Sequence, residues 1–479
     1  MKNYYFVGIL GSGMSALARI QVEMGNNVGG SDRNLEVPLF YEFKKTGMKI
    51  YPQDGSGIEA FARDSGCALK DIVVVKSTAI EDTVKDIVEA RRLGIAEEHR
   101  SDLLAEIFNC RTGIAVGGTA GKTSVSTMCS YLLDALGKSP SFVIGGISRN
   151  FNVSSRYGKS DYFVIESDES DGTIIKYKPA IAILTNISKE HKELPELFDL
   201  FGTFISNVRE GGSIIASASC PNVSAILRDL MPKYAGKKFK IINYEYSKNI
   251  NDFRNDYLVT DIEIKPYGTF FKMNGAAFET SLIGRHNIEN LAVSIATAAE
   301  TGVSLGDIAL ALKGYKGVAR RLEVIGVSSG TVVIDDYAHN PHEIECAISA
   351  VRVFNKPVIA VYQPHGYGPT FFTRHELRDA FVGIGPEDEI FISEIYYAGG
   401  TVNKNISSAE VIGEIKSKFN LKNVYHAPYL DRLTDMICDR IFENKSKEYI
   451  VLVMGARNVN TICPRILERV SGTRSAFVN

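Results

Sequence analysis

The sequence predicts an α/β protein with three domains in tandem. Three series of short apolar runs alternate with segments that have the apolar period of a helix, which is typical of domains built on parallel sheets. At 479 residues the chain is too long for a single core, since one domain commonly holds about 150 residues. We therefore expect domains at residues 1–108, 109–317 and 318–479.

The first domain is expected to have a Rossmann-like fold. A predicted strand over Tyr4–Val7 runs into the glycines of GILGSG, and a helical pattern follows from Met14 to Met24. A second strand ends in VGGSD, and DIVVVKSTAI at residues 71–80 contains another buried strand. A strand, a glycine-rich turn, a helix and a strand in this order are typical of a nucleotide-binding βαβ unit.

The second domain begins with GGTAGKTSVSTM at residues 117–128, directly after an apolar run. A glycine-rich loop that opens a helix gathers backbone N–H groups around one point, which favours an anion there. In such a loop Lys122 would reach the β- and γ-phosphates of a nucleotide, and the Thr123 hydroxyl would contact Mg²⁺. Val116 replaces the first glycine of the longer Walker pattern, so the loop is the shorter G-T-x-G-K-[ST] form. The alternative is an ordinary glycine-rich turn with a surface lysine.

This loop predicts a P-loop ATPase-like α/β domain. Further strands are expected at residues 161–167 and 180–187. The alternating stretch from 257 to 283 predicts an added antiparallel β region, and helical patterns follow at 287–301 and 304–315.

The third domain is expected to be a second Rossmann-like α/β unit. Its predicted strands lie at residues 331–336, 357–362, 388–396 and 449–454. A helical pattern follows each of these strands except the last.

Composition excludes several classes of partner. Lys and Arg total 54 against 56 Asp and Glu, so no bulk positive charge favours nucleic acid or an acidic membrane. The seven cysteines are scattered without a C-x-x-C pair, which is typical of reduced thiols in the cytoplasm. No apolar run reaches the roughly 18 residues of a membrane span. We expect a cytoplasmic protein without a nucleic-acid or membrane partner.

Polar segments follow several predicted strands, at the strand ends where α/β folds bind ligands. They are ESDESDG (166–172), TNISKEH (185–191), GRHNIEN (284–290), VARRLE (318–323) and DDYAHNPHE (335–343). Carboxylates near a bound triphosphate would favour Mg²⁺, whereas a solvated acidic loop is the alternative for the first segment.

Taken together, these motifs resemble the Mur ligase family of peptidoglycan synthesis. The order GTAGKT, ESDESDG, TNISKEH, GRHNIEN, GVARRLE, DDYAHNP and QPHGYGPT covers nearly the whole chain. The N-terminal GILGSGMSALA, GGSD and VVVKSTAI are most similar to the member that attaches the first amino acid. The resemblance implies a ligase that uses ATP and Mg²⁺ to join an L-amino acid, expected to be L-alanine, to the carboxylate of UDP-N-acetylmuramate through an acyl phosphate. The first domain would bind the UDP substrate, and the protein would act as a monomer or homodimer.

The resemblance also implies roles for individual residues. Those implied to bind ATP are Gly118, Thr119, Ala120, Gly121, Lys122, Thr123, Ser124, His286, Asn287, Arg320, Arg321 and Asp336. Those implied to hold Mg²⁺ are Thr123, Glu169 and His191. Those implied to bind the UDP-linked sugar or the acceptor are Gly11, Ser12, Gly13, Met14, Ser31, Asp32, Thr78, His339, Asn340 and Arg374. The implied catalytic residues are Lys122, Glu169, His191, Arg320 and His365, with His365 as the candidate that helps to deprotonate the incoming amine.

The chain departs from the family pattern where the acceptor is expected. Family members that add alanine usually read Q-P-H-R-Y-[ST]-R-T, whereas this chain has Gly366 and Pro369 in place of the two arginines. Arginine is suited to a bidentate grip on a carboxylate, so its loss weakens the case for free alanine. Arg374 could restore one charge.

Three alternatives remain open at this point. One is a related ligase that adds another amino acid or a recycled murein peptide, because GGISRNFNVSSRYG resembles the ligase that attaches such a peptide. The second is an NAD-dependent dehydrogenase that uses the N-terminal G-x-x-G-x-G with Asp32, although this leaves the phosphate loop unexplained. The third is a nucleotide-sensing protein without catalysis.

Overall fold

The computed structural model describes residues 1–189, 192–246, 256–397, 404–444 and 447–472, which form three successive α/β units. The first unit is a parallel five-stranded sheet with the strand order β3-β2-β1-β4-β5. Its strands are Asn3–Val7 (β1), Asn27–Asp32 (β2), Lys49–Pro52 (β3), Ile72–Lys76 (β4) and Ala96–His99 (β5). Its helices are Ser12–Glu23 (α1), Pro38–Lys45 (α2), Gly57–Ser65 (α3), Lys85–Arg92 (α4) and Arg100–Asn109 (α5). This order confirms the Rossmann-like fold and places a ligand crevice between the ends of β1 and β4.

The second unit is a ten-stranded sheet with the order β15-β14-β13-β12-β11-β10-β6-β9-β7-β8. Its strands are Thr112–Gly117 (β6), Ser141–Val143 (β7), Ser155–Arg156 (β8), Tyr162–Glu166 (β9), Ile181–Leu184 (β10), Ser213–Ser217 (β11), Lys238–Tyr244 (β12), Tyr257–Lys265 (β13), Gly268–Met273 (β14) and Ala276–Thr280 (β15). Its helices are Lys122–Ala135 (α6), Leu194–Ser206 (α7), Pro221–Lys233 (α8), Arg285–Glu300 (α9) and Leu305–Leu312 (α10). Strands β13, β14 and β15 pair antiparallel, as the alternating pattern predicted.

The third unit is a six-stranded sheet with the order β16-β17-β21-β18-β19-β20. Its strands are Glu323–Ser328 (β16), Thr331–Asp336 (β17), Val358–Tyr362 (β18), Glu389–Ile392 (β19), Val424–His426 (β20) and Ile450–Met454 (β21). Its helices are Pro341–Val351 (α11), Tyr367–Phe372 (α12), Arg374–Asp379 (α13), Ser408–Phe419 (α14), Leu430–Glu443 (α15) and Ile462–Ser471 (α16). The three-domain α/β fold class is therefore confirmed.

One expectation about the third unit is wrong. Helix α16 follows the last strand, although no helical pattern was expected there. Pro464, near the start of α16, made a helix difficult to predict from the sequence. Proline is nevertheless tolerated in the first turn, because the N–H groups there have no partner within the helix. Ile462 and Ile466 on this helix are fully buried against the sheet.

The three units contact one another through shared apolar clusters and through polar side chains. Lys176 of the second unit donates to Asp102 on α5 at 2.6 Å, and Glu23 on α1 accepts from the backbone N–H of Tyr157. Between the second and third units, Lys189 lies 3.8 Å from Glu376. The exact domain boundaries stay predictions. In the part of the chain that the structure describes, no helix has the length and apolar character needed to cross a membrane.

Candidate active site

The phosphate loop lies between β6 and the N-terminus of α6. Gly118 and Gly121 have φ values of +136° and +82°, which side-chain-bearing residues rarely adopt. A Cβ atom at Gly118 would overlap the Thr185 hydroxyl, and one at Gly121 would lie 2.5 Å from the Asn290 amide oxygen. The loop therefore requires both glycines, and its N–H groups stand at the positive end of a 14-residue helix.

Asn186 holds this loop in shape. Its amide oxygen accepts from the backbone N–H of Ala120 at 2.9 Å and from the Thr119 hydroxyl at 2.9 Å. Its amide nitrogen donates to the carbonyl of Ala120 at 2.9 Å. Asn186 can reach the loop because β10, which it follows, pairs directly with β6. The sequence marked Asn186 only as a polar residue at a strand end and did not reveal this role.

Lys122 meets a carboxylate from the strand on the other side of β6. Its Nζ atom lies 2.8 Å from Glu169 and donates to the carbonyl of Thr119 at 3.0 Å. Glu169 follows β9, which also pairs with β6. Burial raises the pKa of Glu169 to about 7, although the charge of Lys122 acts to lower it. The structure thus brings together Lys122 and Glu169, as the motifs led us to expect.

A cavity of about 330 Å³ lies between the phosphate loop and the third unit. Its walls include Thr119, Gly121, Lys122, Thr123, Glu166, Asp168 and Glu169 on one side, and Arg320, Arg321, Tyr337, His339 and Glu343 on the other. A site that joins phosphate-loop residues to arginines across two domains can hold a nucleotide phosphate chain and stabilise charge on it.

The acidic residues of this cavity suit Mg²⁺ that arrives with phosphates. Among the described residues, no three His, Cys, Asp or Glu side chains gather into a metal site of their own. The Thr123 hydroxyl and the carboxylates of Glu166, Asp168 and Glu169 nevertheless line one wall. Mg²⁺ is usually held by one or two carboxylates together with substrate phosphates, so this donor set fits. His191 lies outside the described residues.

Both predicted arginines are anchored at the rim of the cavity. Arg320 pairs with Asp335 at 3.2 Å, and Arg321 donates to Glu343 at 3.0 Å. Glu343 also lies 3.1 Å from Nδ1 of His339. Burial alone would raise the pKa of Glu343, but Arg321 and His339 hold it well below its usual range. The sequence did not single out Glu343, which links the two predicted site residues.

A smaller cavity of about 60 Å³ adjoins the loop on the side expected for adenine. Its lining includes Asn186 and seven predicted residues, which the structure thus brings together: Ala120, Gly121, Ser124, His286, Asn287, Arg321 and Asp336. Burial, with the nearby His342 and Arg321, lowers the pKa of His286 to about 4. Burial likewise raises the pKa of Asp336 to about 6, against the effect of Arg321.

Four side chains meet at the strand ends of the third sheet. The rings of His339 and His365 lie 6.3 Å apart, and the His365 ring stacks on Tyr396 with centroids 5.9 Å apart. Arg457 donates from Nε to Nε2 of His365 at 3.1 Å. Burial, together with Arg457 and His339, lowers the pKa of His365 to about 4. Neither Arg457 nor Tyr396 was singled out in the sequence.

Two other predicted residues of this domain have different surroundings. The Asn340 side chain caps α11 by accepting from the N–H of Glu343 at 2.9 Å. Arg374 lies over the Phe371 ring and donates to His375 at 3.3 Å. Among the described contacts of Arg374, none reaches His339 or His365.

The predicted UDP site lies at the crevice of the first sheet. Gly11, Ser12, Gly13 and Met14 form the N-terminus of α1 after β1, Ser31 and Asp32 end β2, and Thr78 follows β4. The Asp32 carboxylate accepts from the N–H of Leu10 at 2.9 Å and from that of Asn34 at 3.2 Å.

Arg100 adds a positive charge to this crevice. A Cβ atom at Gly13 would lie 2.9 Å from Nη1 of Arg100, so the absence of a side chain there lets the guanidinium reach the N-terminus of α1. The sequence analysis missed Arg100, because it begins a different helix far along the chain.

Comparison with known proteins agrees with this architecture. Three family models match in succession: the Mur ligase family catalytic domain at residues 3–112, the Mur ligase middle domain at 116–298 and the Mur ligase glutamate ligase domain at 320–457. A UDP-N-acetylmuramate–L-alanine ligase of Dictyoglomus turgidum is 32% identical over 481 residues, covering 98% of this chain and 97% of the relative. One from Nostoc punctiforme is 31% identical over 490 residues, covering 97% and 96%.

Solved structures share the fold at lower sequence identity. The UDP-N-acetylmuramate–alanine ligase of Thermotoga maritima is 23% identical with a TM-score of 0.76, covering 98% of this chain and 100% of that one. A murein peptide ligase of Psychrobacter arcticus is 23% identical with a TM-score of 0.69, covering 99% and 100%.

Proposed function

This chain belongs to the Mur ligase family, and from that membership we propose that it is an ATP-dependent ligase that joins L-alanine to the carboxylate of UDP-N-acetylmuramate. Curated relatives that carry this activity in their names match almost the full length of the chain. The observation that carries the proposal is the cavity in which Lys122, Glu169, Arg320 and His339 meet across two domains.

ATP binds with its phosphates on the loop from Gly118 to Ser124. Lys122, which lies 2.8 Å from Glu169, donates to the β- and γ-phosphates when ATP is bound. Arg320 and Arg321 contact the γ-phosphate from the opposite wall of the cavity. The adenosine end occupies the smaller cavity beside His286, Asn287 and Asp336.

Thr123 and Glu169 would hold Mg²⁺ together with the phosphates, and His191 is the further ligand that the family resemblance implies. When bound, the ion neutralises charge that develops on the transferring phosphoryl group.

The UDP substrate lies in the first domain. Its diphosphate meets the N-terminus of α1 at Gly11–Met14, where Arg100 adds charge, and its nucleoside lies near Ser31, Asp32 and Thr78. The muramate carboxylate then points toward the cavity of the second domain.

The reaction proceeds in two displacements. The muramate carboxylate attacks the γ-phosphorus, the bond to ADP breaks, and an acyl phosphate forms. The amine of the amino acid then attacks the acyl carbon, and inorganic phosphate leaves as the amide forms. Negative charge gathers beside Lys122 and the two arginines in both steps, so positioning and electrostatic stabilisation supply most of the rate.

One experiment decides between the alternatives. Purified protein is incubated with ATP, Mg²⁺ and UDP-N-acetylmuramate, together with a panel of free amino acids and short murein peptides, and the product is identified by mass spectrometry. We expect ADP release and a product whose mass is that of the UDP-sugar plus alanine minus water. No ADP release with any acceptor would contradict the proposal.

Ligation of a recycled murein peptide is the second candidate. It is favoured by the replacement of two expected arginines by Gly366 and Pro369, and by the resemblance of GGISRNFNVSSRYG to the ligase that attaches such a peptide. The dehydrogenase alternative loses its support because ligase relatives match nearly the whole chain and the phosphate loop belongs to the matched middle domain. Action in the cytoplasm, a monomeric or homodimeric state and the lack of nucleic-acid and membrane partners stay predictions.

A further inference from the structure

We propose that Arg457 binds the carboxylate of the incoming acceptor, and that the acceptor is therefore a free α-amino acid. Arg457 would thus replace the arginines that the family pattern expects at Gly366 and Pro369. This inference rests on the proposed function, since it assumes an acceptor that brings its amine to an acyl phosphate.

The strand order of the third sheet places Arg457 in the middle of the acceptor region. Strand β21 lies between β17 and β18. His339, His365 and Arg457 each stand three residues beyond the end of one of these adjacent parallel strands. Because parallel strands end at the same edge, the three residues lie at one edge of the sheet, and the strand before Arg457 lies between the strands that precede the two histidines.

Arg457 is available for an anion. Its guanidinium contacts the imidazole of His365 at 3.1 Å and lies over the ring of Tyr396 at 5.6 Å. In the described part of the chain, no carboxylate lies within 4.0 Å of its nitrogen atoms, in contrast to Arg320 and Arg321. An exposed arginine whose described side-chain partners are a neutral ring and an aromatic face can take a carboxylate in a bidentate pair.

The backbone of Arg457 connects the acceptor region to the phosphate region. Its carbonyl accepts from Nη1 of Arg320 at 3.0 Å. Arg320 lines the cavity that also contains Lys122. An amino acid held by Arg457 is consequently next to the place where the acyl phosphate forms.

Neither nearby alternative supplies the same charge. Gly366 has a φ of +78°, a conformation that a side-chain-bearing residue adopts only with strain. The backbone at this position is therefore unsuited to the arginine that the family pattern expects there. Arg374 contacts Phe371 and His375 on the surface, and none of its described contacts is with His339 or His365, whereas Arg457 contacts His365 directly.

The geometry also selects the kind of acceptor. In a free α-amino acid only one carbon separates the carboxylate from the amine, so a carboxylate on Arg457 leaves the amine close to His365. Pairing with the carboxylate moves the Arg457 donor away from Nε2 of His365 and neutralises the arginine charge that helps to lower the pKa of His365. Nε2 then becomes a stronger base and can take the proton of the ammonium group. The neutral amine forms the N–C bond at the acyl carbon, the C–O bond to phosphate breaks, and inorganic phosphate carries away the electron pair. In a peptide the terminal carboxylate is several bonds from the amine. A peptide therefore cannot place its carboxylate on Arg457 and its amine beside His365 at the same time.

The test compares acceptors with and without a carboxylate. We would measure kcat/KM for L-alanine and for L-alaninamide with wild type, Arg457→Gln and Arg457→Lys. The ratio of the two values does not depend on the concentration of active protein, so partial unfolding of a variant does not change it. Arg465→Gln serves as the matched control, because Arg465 lies on α16 beyond the same strand and pairs with Asp431.

We expect Arg457→Gln to lower the ratio of L-alanine to L-alaninamide roughly ten- to a hundredfold, mainly through KM for L-alanine, as the loss of a charge-assisted pair implies. Arg457→Lys should recover part of this loss, and KM for ATP should be nearly unchanged. An unchanged ratio in Arg457→Gln, an equal loss in Arg374→Gln, or a wild type that prefers a peptide to L-alanine would overturn the inference. Absence of any ligation by the wild type would instead overturn the proposed function.

Discussion

The Nζ atom of Lys122 lies 2.8 Å from the carboxylate of Glu169, which is almost completely buried. The lysine expected to meet ATP is thus paired with a carboxylate before any phosphate arrives. This pair keeps a positive charge fixed at the mouth of the phosphate loop.

Lys122→Ala should abolish ligation while sparing substrate binding in the first domain. We expect kcat/KM for ATP to fall at least roughly a hundredfold, because a charged donor aimed at the transferring phosphate is lost. ADP release measures the loss, and calorimetry measures UDP-N-acetylmuramate binding. Lys233→Ala, at an exposed ion pair with Asp229, is the control. Substantial ligation by Lys122→Ala would contradict the proposal that Lys122 binds the ATP phosphates.

Glu169→Gln should raise the Mg²⁺ concentration needed for half-maximal activity. The amide retains the size of the side chain but loses the charge that would hold the ion, so we expect a roughly ten- to hundredfold change. Titration of Mg²⁺ at saturating ATP measures it. Asp171→Asn is the control for the Mg²⁺ dependence, since Asp171 belongs to the same acidic segment but lies outside the cavity lining and contacts Arg100 instead. Equal Mg²⁺ dependence in both variants would contradict a metal-binding role and support the alternative that the acidic segment is a solvated loop.

Asn186→Ala should weaken ATP binding without removing any phosphate ligand. The Ala120 N–H loses its side-chain partner, and the Ala120 carbonyl keeps only the bond from the Thr185 hydroxyl, so the loop is held less firmly in shape. We expect KM for ATP to rise about tenfold or more, since a displaced binding group is costly even at small displacements. Asn222→Ala, which removes a bond to the Ile187 carbonyl behind the same strand end, should leave KM for ATP unchanged. A rise in both variants would point to a general loss of structure instead.

Stability should fall in acid partly because of His286. Its pKa is lowered to about 4 by burial and by His342 and Arg321, whereas an unfolded histidine titrates near 6.5. Between these two pH values the unfolded state binds the proton more readily than the folded state. The contribution of neutral His286 to the free energy of unfolding is therefore complete above about pH 6.5 and is lost as the pH falls toward 4. In urea unfolding, the free energy of unfolding should fall less with decreasing pH for His286→Gln than for wild type. The difference between the two falls should be at most about 3 kcal/mol.

The exposed His375 provides the comparison for this pH effect. His375→Gln should retain the pH dependence of the wild type, because His375 lies at the surface beside Arg374. Parallel curves for His286→Gln and wild type would show that other groups account for the acid sensitivity.

Gly366→Ala should destabilise the third domain. The residue has a φ of +78°, and a Cβ atom there would lie 3.3 Å from the ring of Pro369. A strained conformation of this kind costs about 1–3 kcal/mol. Gly368→Ala, two residues away with open space around its Cβ position, should be neutral or slightly stabilising in thermal unfolding. Equal effects of the two substitutions would contradict the strain argument.

Much of the site could be predicted because its motifs are local. The phosphate loop needs a strand, two glycines and a lysine at the head of a helix, and all of these are consecutive in the chain. Lys122 and the acidic segment that contains Glu169 could be assigned to one site because both follow strands whose carboxyl ends meet at one edge, but their ion pair was found only in the structure. Glu343 and Arg100 escaped notice because their contacts come from other elements, which no spacing along the chain reveals.

The sequence by itself determined the three α/β units, the phosphate loop and the polar segments that end the strands, since apolar periodicity and turn residues encode each strand–loop–helix step locally. The tertiary structure alone decided the order of the strands. The last strand, β21, inserts between β17 and β18, and this places Arg457 beside His365, 92 residues away in the chain. Strand order depends on pairing and packing between distant segments, which periodicity does not record, so the acceptor region emerged only once the sheet was assembled.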